Sequence, residues 1–183
     1  RRSSDLFDDH LVHALKYRTP EQLAELTQSR AKWVDARLDV LDLGCGTGLS
    51  GVVLKPLARS LIGVDISEGM LRKAQERNLY TKLVRSDLLR MMVQQQTGSF
   101  DLIFAADVFV YLGRLDEIFV EVARLLRPGG WFSFSVEAVR DLPKSESPSN
   151  SDFVLGTTGR YAHNSAYLDR LGERWGFKRL ELN

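Results

Sequence analysis

The sequence predicts an α/β fold, doubly wound around a mostly parallel sheet. Three observations predict it. Short apolar runs alternate with segments of helical periodicity along most of the chain, as strand–helix–strand units covered on both faces require. The first strong run ends in Gly44-Cys45-Gly46-Thr47-Gly48-Leu49-Ser50-Gly51, a loop path that glycine follows most easily. Three runs end at or beside an acid: Asp65, Asp87 and Asp107. In open sheets of this kind ligands sit at the carboxyl ends of the strands, near the point where strand order reverses.

The elements follow in order. Asp8–Tyr17 carries Leu11, Val12 and Leu15 at helical spacing. Thr19-Pro20-Glu21-Gln22 reads as the start of a second helix, with Thr19 as cap, proline at the first helical position and Gln22 completing a capping box. Leu38–Leu43 is the first strand, and Leu49–Leu57 the helix after the glycine loop. Leu61–Asp65 is the second strand. Ser67 caps a helix with Met70, Leu71 and Ala74 on its inner side. Thr81–Arg85 is a weaker strand ending at Ser86-Asp87, and Asp87 can cap the helix that follows. Phe100–Ala106 is a strong strand. Leu115, Ile118, Phe119, Val122, Leu125 and Leu126 trace one face of a helix, which Arg127-Pro128-Gly129-Gly130 stops. Trp131–Glu137 follows as a strand with Trp131, Phe132 and Phe134 as packing residues. Lys144–Asp152, rich in Ser, Pro and Asn, reads as a loop. A helix over Asn164–Trp175 and a strand over Phe177–Leu182 close the chain. These assignments give one domain over residues 1–183. It comprises an N-terminal helical segment (1–37), a central core (38–143) and a final part (144–183).

Composition bounds the function. With 183 residues, 44% of them apolar, the chain can bury one substantial core. Its net charge is +1 with both signs scattered, which supplies no basic patch for nucleic acid and no attraction to an anionic membrane. No apolar run approaches a membrane span and no segment reads as a signal peptide. The single cysteine, Cys45, excludes an intrachain disulfide and fits a reducing compartment, so a cytoplasmic location is expected. His10 and His13 share a helical face, but no third ligand has a convincing spacing, and no metal is expected. The chain opens with Arg-Arg-Ser-Ser and is expected to be part of a longer protein.

The glycine loop has a physical reading. Gly44, Gly46 and Gly48 let the backbone turn sharply and leave no side chain between it and a ligand. The helix that follows offers unpaired N–H groups to an anionic group. Asp65 lies 21 residues after Gly44, at the end of the next strand, where a carboxylate can accept from both hydroxyls of a ribose. The loop therefore holds a nucleoside-bearing cofactor. Gly46 to Gly51 satisfies the dinucleotide pattern GxGxxG, which taken alone is weak.

The surroundings decide between cofactors. "LDLGCGTG", "GVDIS", "RSDLL", "FDLIFAADVFVYL" and "LLRPGGWFSFS" occur in this order. The succession resembles the class I S-adenosylmethionine (SAM)-dependent methyltransferases, over roughly Val40–Glu137. The resemblance implies a Rossmann-like sheet and SAM as cofactor, with S-adenosylhomocysteine (SAH) as product. It implies that Gly44, Cys45, Gly46 and Gly48 line the methionine part through backbone and that Asp42, under the loop, reaches the amino group through water. Asp65 then takes the ribose hydroxyls, and Ile66 and Met70 pack on the adenine. Asp87 accepts from the adenine amino group while the Leu88 N–H donates. The Ala105 carbonyl meets the methionine ammonium, and Asp107 serves either the site or the loop. "HLVHALKYRTPEQL" (His10–Leu23) and "GRYAHNSAYLDRLGERWGF" (Gly159–Phe177) are similar to methyltransferase domains attached to tetratricopeptide repeats. This implies an upstream repeat region, and a segment that folds over SAM with Tyr17 and Arg18 near its carboxylate. Such sheets end in an antiparallel hairpin, whereas only one candidate strand closes this chain.

Bland readings stand beside these. Cys45 is a small loop residue and not a nucleophile. Tyr17-Arg18 can be an ordinary helix end, and Arg160, Tyr161 and His163 can simply anchor a loop. For the chemistry itself, a sulfonium methyl is already electrophilic, so the protein mainly positions and desolvates. A general base is needed only for an acceptor with a tightly held proton, and His163 and Tyr161 are the candidates. The family's amino-methylation tetrapeptide, Asn or Asp followed by two prolines and an aromatic, is replaced by Ala105-Ala106-Asp107-Val108. A small-molecule O-, N- or C-methyltransferase is expected. The alternatives are a protein or RNA methyltransferase, a catalytically silent SAM-fold assembly module and, last, a dehydrogenase.

Overall fold

The computed structural model describes residues 18–31, 33, 37–142 and 151–180. Its central sheet contains β1 (Leu38–Leu43), β2 (Ala58–Asp65), β3 (Lys82–Arg85), β4 (Phe100–Ala105) and β5 (Leu126–Phe134), in the order β3-β2-β1-β4-β5. All four pairings are parallel. The chain steps outward from β1 through β2 to β3, then returns to the other side of β1 for β4 and β5. Strand order therefore reverses between β1 and β4, and the loops after these two strands meet there.

Six helices accompany the strands among the described residues: α1 (Thr19–Ala31), α2 (Leu49–Leu54), α3 (Glu68–Glu76), α4 (Leu88–Val93), α5 (Asp116–Leu125) and α6 (Ser165–Arg174). Strand alternation sorts the core into two layers. Val40, Leu61, Leu102 and Phe104 face α1 and α2 through Ala24 and Leu54. Leu41, Leu43, Val64, Ile103 and Ala105 face α4, α5 and α6 through Met91, Met92, Phe119, Val122 and Leu171. Each fully buried Leu or Phe contributes about 1.5–3 kcal/mol, and burial on both faces is why β4 reads as a nearly continuous apolar run from Leu102 to Ala105. The acids that begin these strands, Asp39 and Asp101, are bridged by Arg127 at 2.9 and 2.8 Å, at the sheet end opposite the glycine loop.

Several expectations need correction. Gln22 N–H donates to the Arg18 carbonyl at 2.9 Å, so Arg18 holds the cap position and Thr19 is already helical. The Pro56 region turns the end of the second helix into a 3₁₀ turn, Lys55–Leu57. Arg127-Pro128-Gly129-Gly130 is not a connection between elements. It bulges inside β5, since Leu126 pairs with Phe100 and Trp131 already pairs with Leu102. Both Gly129 (φ +79°) and the Arg127 ion pairs accommodate the excursion. β5 ends at Phe134, short of the predicted Glu137.

Glu137 belongs to a second sheet that the periodicity did not reveal. It contains β6 (Glu137–Ala138), β7 (Phe153–Leu155) and β8 (Tyr161–His163) in the order β6-β8-β7. β8 runs parallel to β6 and antiparallel to β7. The predicted strand Phe177–Leu182 is absent over its described part, residues 177–180. Gly176 (φ +78°) ends α6 in a motif where Phe177 N–H donates to the Gly172 carbonyl at 2.8 Å. This turns Phe177 back onto the aromatic core, with ring centroids 6.1 Å from both Phe119 and Phe132. The helix predicted over Asp8–Tyr17 and most of the loop over Lys144–Asp152 lie outside the described residues, as do His10, His13 and Tyr17. No described helix is long and apolar enough to cross a membrane.

Candidate functional site

The site begins where β1 ends. Gly44, Gly46 and Gly48 have φ of +66°, +52° and +87°, values that L side chains adopt only under strain. Gly44 also lacks room for a side chain, because a Cβ there would lie 2.3 Å from Cγ2 of Val108. The loops after β1 and β4 thus touch directly at the point of strand reversal. Gly46 is different: a Cβ there would meet nothing within 4 Å. Cys45 N–H donates to the Val64 carbonyl at 2.9 Å, tying the loop to β2. Burial raises the pKa of the Cys45 thiol, and the nearby Asp42 and Asp65 carboxylates raise it further, so it stays protonated and unreactive.

Asp65 ends β2 and organises the loop. Its Oδ2 accepts from Gly46 N–H at 3.0 Å and its Oδ1 from Ser67 N–H at 2.8 Å. Each carboxylate oxygen keeps further acceptor capacity for a ligand. Ser67 in turn caps α3, its hydroxyl accepting from Met70 N–H at 3.4 Å.

Asp42 lies beneath the loop and is fully buried. Its Oδ2 accepts from the Tyr80 hydroxyl at 2.6 Å, while its Oδ1 has no hydrogen-bond partner among the described residues. Burial pushes its pKa up to about 7, the Tyr80 hydrogen bond pulls it down, and the neighbouring charge of Asp65 adds to the rise. A buried, half-satisfied carboxylate costs free energy, which a cationic or N–H group arriving at the loop would offset.

A cleft of about 510 Å³ opens beyond β2 and β3, lined by Ile66, Val84, Arg85, Ser86, Asp87 and Arg90, with Gln94 at its edge. Ile66 is 69% exposed, an apolar side chain presented to the cleft. Asp87 caps α4, its Oδ1 accepting from Arg90 N–H at 3.2 Å. Leu88 is the first helical residue, so its N–H has no partner within the helix. Met70 lies half-buried in the first turn of α3.

After β4 the chain turns through Asp107, whose φ is +54°. Asp107 N–H donates to the Ser135 hydroxyl at 2.7 Å, and that hydroxyl donates to Asp107 Oδ1 at 3.0 Å. Ser135 N–H donates to the Ala105 carbonyl at 3.0 Å. Asp107 therefore fastens this loop to the end of β5. Further along, the small sheet covers the same region. Space for a side chain at Gly113 is taken by Phe153 and Tyr161, each within 3 Å of where a Cβ would stand. The Gly113 carbonyl lies 3.0 Å from His163 Nε2, so Nε2 carries the ring proton and donates. His163 is 1% exposed and its Nδ1 has no partner among the described residues. The ring stacks on Tyr167 at 6.4 Å, and burial lowers its pKa, the Gly113 and Leu112 carbonyls partly opposing.

The structure thus gathers Asp42, Gly44, Cys45, Gly46, Gly48 and Asp65 about one loop, and Ile66, Asp87 and Leu88 about the adjoining cleft. Tyr161 and His163 stand in a separate sheet, which meets the segment after β4 through Gly113. Arg18 is exposed and pairs with Glu25 at 3.8 Å. Arg160 forms an ion pair with Glu137 at 2.5 Å, within the small sheet. Tyr80 is the residue that sequence reasoning missed. Its ring packs where Gly51 and Gly63 leave no side chain, on two elements far from it in sequence, so it carried no local signal.

Comparison with known proteins agrees with this fold. Residues 40–130, about half of the chain, match the family model described as a methyltransferase domain. The chain is 27% identical over 162 residues to a ubiquinone biosynthesis O-methyltransferase of Albidiferax ferrireducens, covering 82% of this chain and 64% of the relative. It is 30% identical over 139 residues to a malonyl-[acyl-carrier protein] O-methyltransferase of Legionella pneumophila, covering 71% of this chain and 45% of that one. The chain therefore spans less than two thirds of either relative. A SAM-dependent methyltransferase from Clostridium acetobutylicum shares the fold at TM-score 0.69 and 19% identity, covering 95% of this chain and 87% of that one. On the strength of the matched residues, the chain belongs to the family described as a methyltransferase domain, and its five-stranded parallel sheet is the fold it shares with that SAM-dependent methyltransferase.

Proposed function

We propose that the chain transfers the methyl group of SAM to an oxygen, nitrogen or carbon of a small molecule. The observation that carries this is the convergence of Asp42, Asp65 and Asp87 on one edge of the sheet, with Oδ1 of Asp42, which has no partner among the described residues, buried beneath the glycine loop. In this reading the backbone of Gly44, Cys45, Gly46 and Gly48 holds the methionine part, with Asp42 and the Ala105 carbonyl at its amino end. Tyr17 and Arg18 serve its carboxylate. Asp65 accepts from the ribose, Ile66 and Met70 flank the adenine, and Asp87 and the Leu88 N–H recognise its edge. Asp107 holds the loop after β4 in place. When bound, SAM supplies a methyl group activated by its own sulfonium.

The chain's remaining work is to position the acceptor and exclude water. If the acceptor is a hydroxyl, a proton must leave it. His163 Nδ1 is the candidate base atom, because Nε2 is committed to Gly113 and burial keeps the ring neutral. Tyr161, beside it on β8, is the second candidate. Both named relatives are O-methyltransferases, which supports an oxygen acceptor. Residues 144–183 then form the substrate side of one domain whose core is 38–143, and residues 1–37 the cover. The likeness to domains joined to tetratricopeptide repeats supports such a repeat region upstream, and the single cysteine supports a cytoplasmic setting. Incubation with methyl-labelled SAM and separate metabolite, protein and RNA fractions tests the proposal. Label in the metabolite fraction is expected; label confined to protein or RNA overturns the small-molecule acceptor.

A further inference from the structure

Tyr80 is held with unusual care for a residue in a connection. Its ring fills a socket made by missing side chains. A Cβ on Gly51 of α2 would lie 2.7 Å from Tyr80 Cε2, and one on Gly63 of β2 would lie 2.7 Å from Cε1. Gly48, in the loop itself, has the same ring edge at 3.2 Å. The ring is thus wedged between the loop helix and the second strand, and its hydroxyl reaches Asp42 Oδ2 at 2.6 Å. Asp42 is fully buried, and its other oxygen has no partner among the described residues.

The geometry points to Tyr80 as a positioning residue for the cofactor: its hydroxyl pins one oxygen of Asp42 and stabilises the carboxylate, leaving Oδ1 as the acceptor for the cationic amino end of the ligand. This rests on the cofactor reading above and extends it to a residue outside the loop. A consequence is proton linkage. Asp42 sits near its titration midpoint at neutral pH, and a cationic ligand group favours the ionised form. The titratable groups facing it are Asp65 at the end of β2, Cys45 in the loop and Tyr80 itself. Burial, with the charge of Asp42 adding to it, holds the Tyr80 phenol far above its ordinary pKa, and Cys45 stays a thiol. The protonation that changes near neutrality is therefore that of Asp42. Binding of the ligand therefore draws a proton from Asp42, and affinity rises as pH rises toward and through about 7. Tyr80 deepens this affinity at low pH, because its hydrogen bond favours the carboxylate.

The test compares SAH binding by calorimetry from pH 5.5 to 9 for the wild type, Tyr80→Phe and Asp42→Asn. The ligand's own amino group titrates identically in every comparison, so differences between proteins belong to the protein. Tyr80→Phe keeps the ring in its socket and removes only the hydroxyl. It should weaken binding several-fold at pH 6, about tenfold for each unit by which the Asp42 pKa rises, with the gap closing by pH 9. Asp42→Asn should abolish the pH-dependent gap. Equal affinities for wild type and Tyr80→Phe at every pH overturn the inference while the cofactor reading stands. So does a loss that is uniform across pH, which marks a merely structural hydroxyl. Absence of any SAH binding by the wild type overturns the cofactor reading and this inference with it.

Discussion

Gly44 and Gly46 sit two residues apart in one loop and answer to different constraints. Both have positive φ, but a Cβ at Gly44 would collide with Val108, whereas one at Gly46 would enter open space. Gly44→Ala therefore carries both the left-handed backbone cost of about 1–2 kcal/mol and an overpacking cost of about 1–3 kcal/mol. Gly46→Ala carries only the first. The loss at Gly46 should instead appear in binding, since its methyl occupies the space over the loop where the cofactor is proposed to lie. Denaturant unfolding should rank Gly44→Ala as less stable than Gly46→Ala. Calorimetry should show SAH binding to the folded Gly46→Ala variant weakened at least tenfold, on the order of 1.4 kcal/mol. Wild-type affinity in Gly46→Ala would remove the ligand from that face of the loop.

Two elements carry predictions of their own. The short helix α4 depends on Asp87 for its cap, and the same carboxylate lines the cleft. Asp87→Ala should cost about 1 kcal/mol of stability and also weaken SAH binding. Asp87→Ser should restore most of the stability, because serine caps nearly as well, without restoring affinity. If serine restores both, Asp87 is a cap and nothing more. The small sheet carries the other prediction through His163. Its pKa in the fold lies below the ordinary 6.5 because burial penalises the charged ring. The unfolded chain therefore binds the proton more tightly. His163's stabilisation is present above the ordinary value and is lost as pH falls through the lowered one. Asp42 has the opposite sign: raised from 3.8 to about 7, its contribution is present in acid and lost as pH rises through about 7. The two slopes oppose each other near neutrality, so the whole-protein profile hides both. His163→Gln keeps a donor for the Gly113 carbonyl and removes the titration. The stability difference between wild type and His163→Gln should shrink between pH 7.5 and pH 5, read by denaturant unfolding at each pH. A constant difference would show that the ring is protonated or solvated in the fold.

At the scale of the molecule, the strand order brings the ends of β1, β2, β3 and β4 to one edge, and the proposed cofactor would touch elements on both sides of the reversal. A ligand that binds only the folded form stabilises by about 2.7 kcal/mol at a hundredfold excess over Kd. For a chain of this size that raises Tm by roughly 5–10 °C. SAH should produce such a shift in a thermal melt and NADH should not. A comparable shift with NADH would favour dinucleotide binding, which GxGxxG alone permits.

What the sequence determined by itself was local. Helix caps at Ser67 and Asp87 were legible because a capping side chain bonds within three residues of itself. The glycine loop was legible because positive φ is a property of single residues. β4 was legible because burial on both faces leaves a long apolar run, and β1 because its apolar residues lead directly into the glycine loop. The tertiary structure decided everything that depended on partners far along the chain. β7 and β8 have three residues each, too few for a periodicity, and exist through pairing with each other and with β6. Phe177, expected to begin a closing strand, instead packs on the aromatic cluster of β5 and α5. The Arg127–Gly130 bulge was hidden because two acids at the starts of β1 and β4 hold Arg127 in the sheet. Tyr80 could not be singled out because its socket is a pair of missing side chains, Gly51 and Gly63, on two different elements. Hydrogen bonds and contacts of this kind are set by the distance between residues in space, which sequence spacing does not encode.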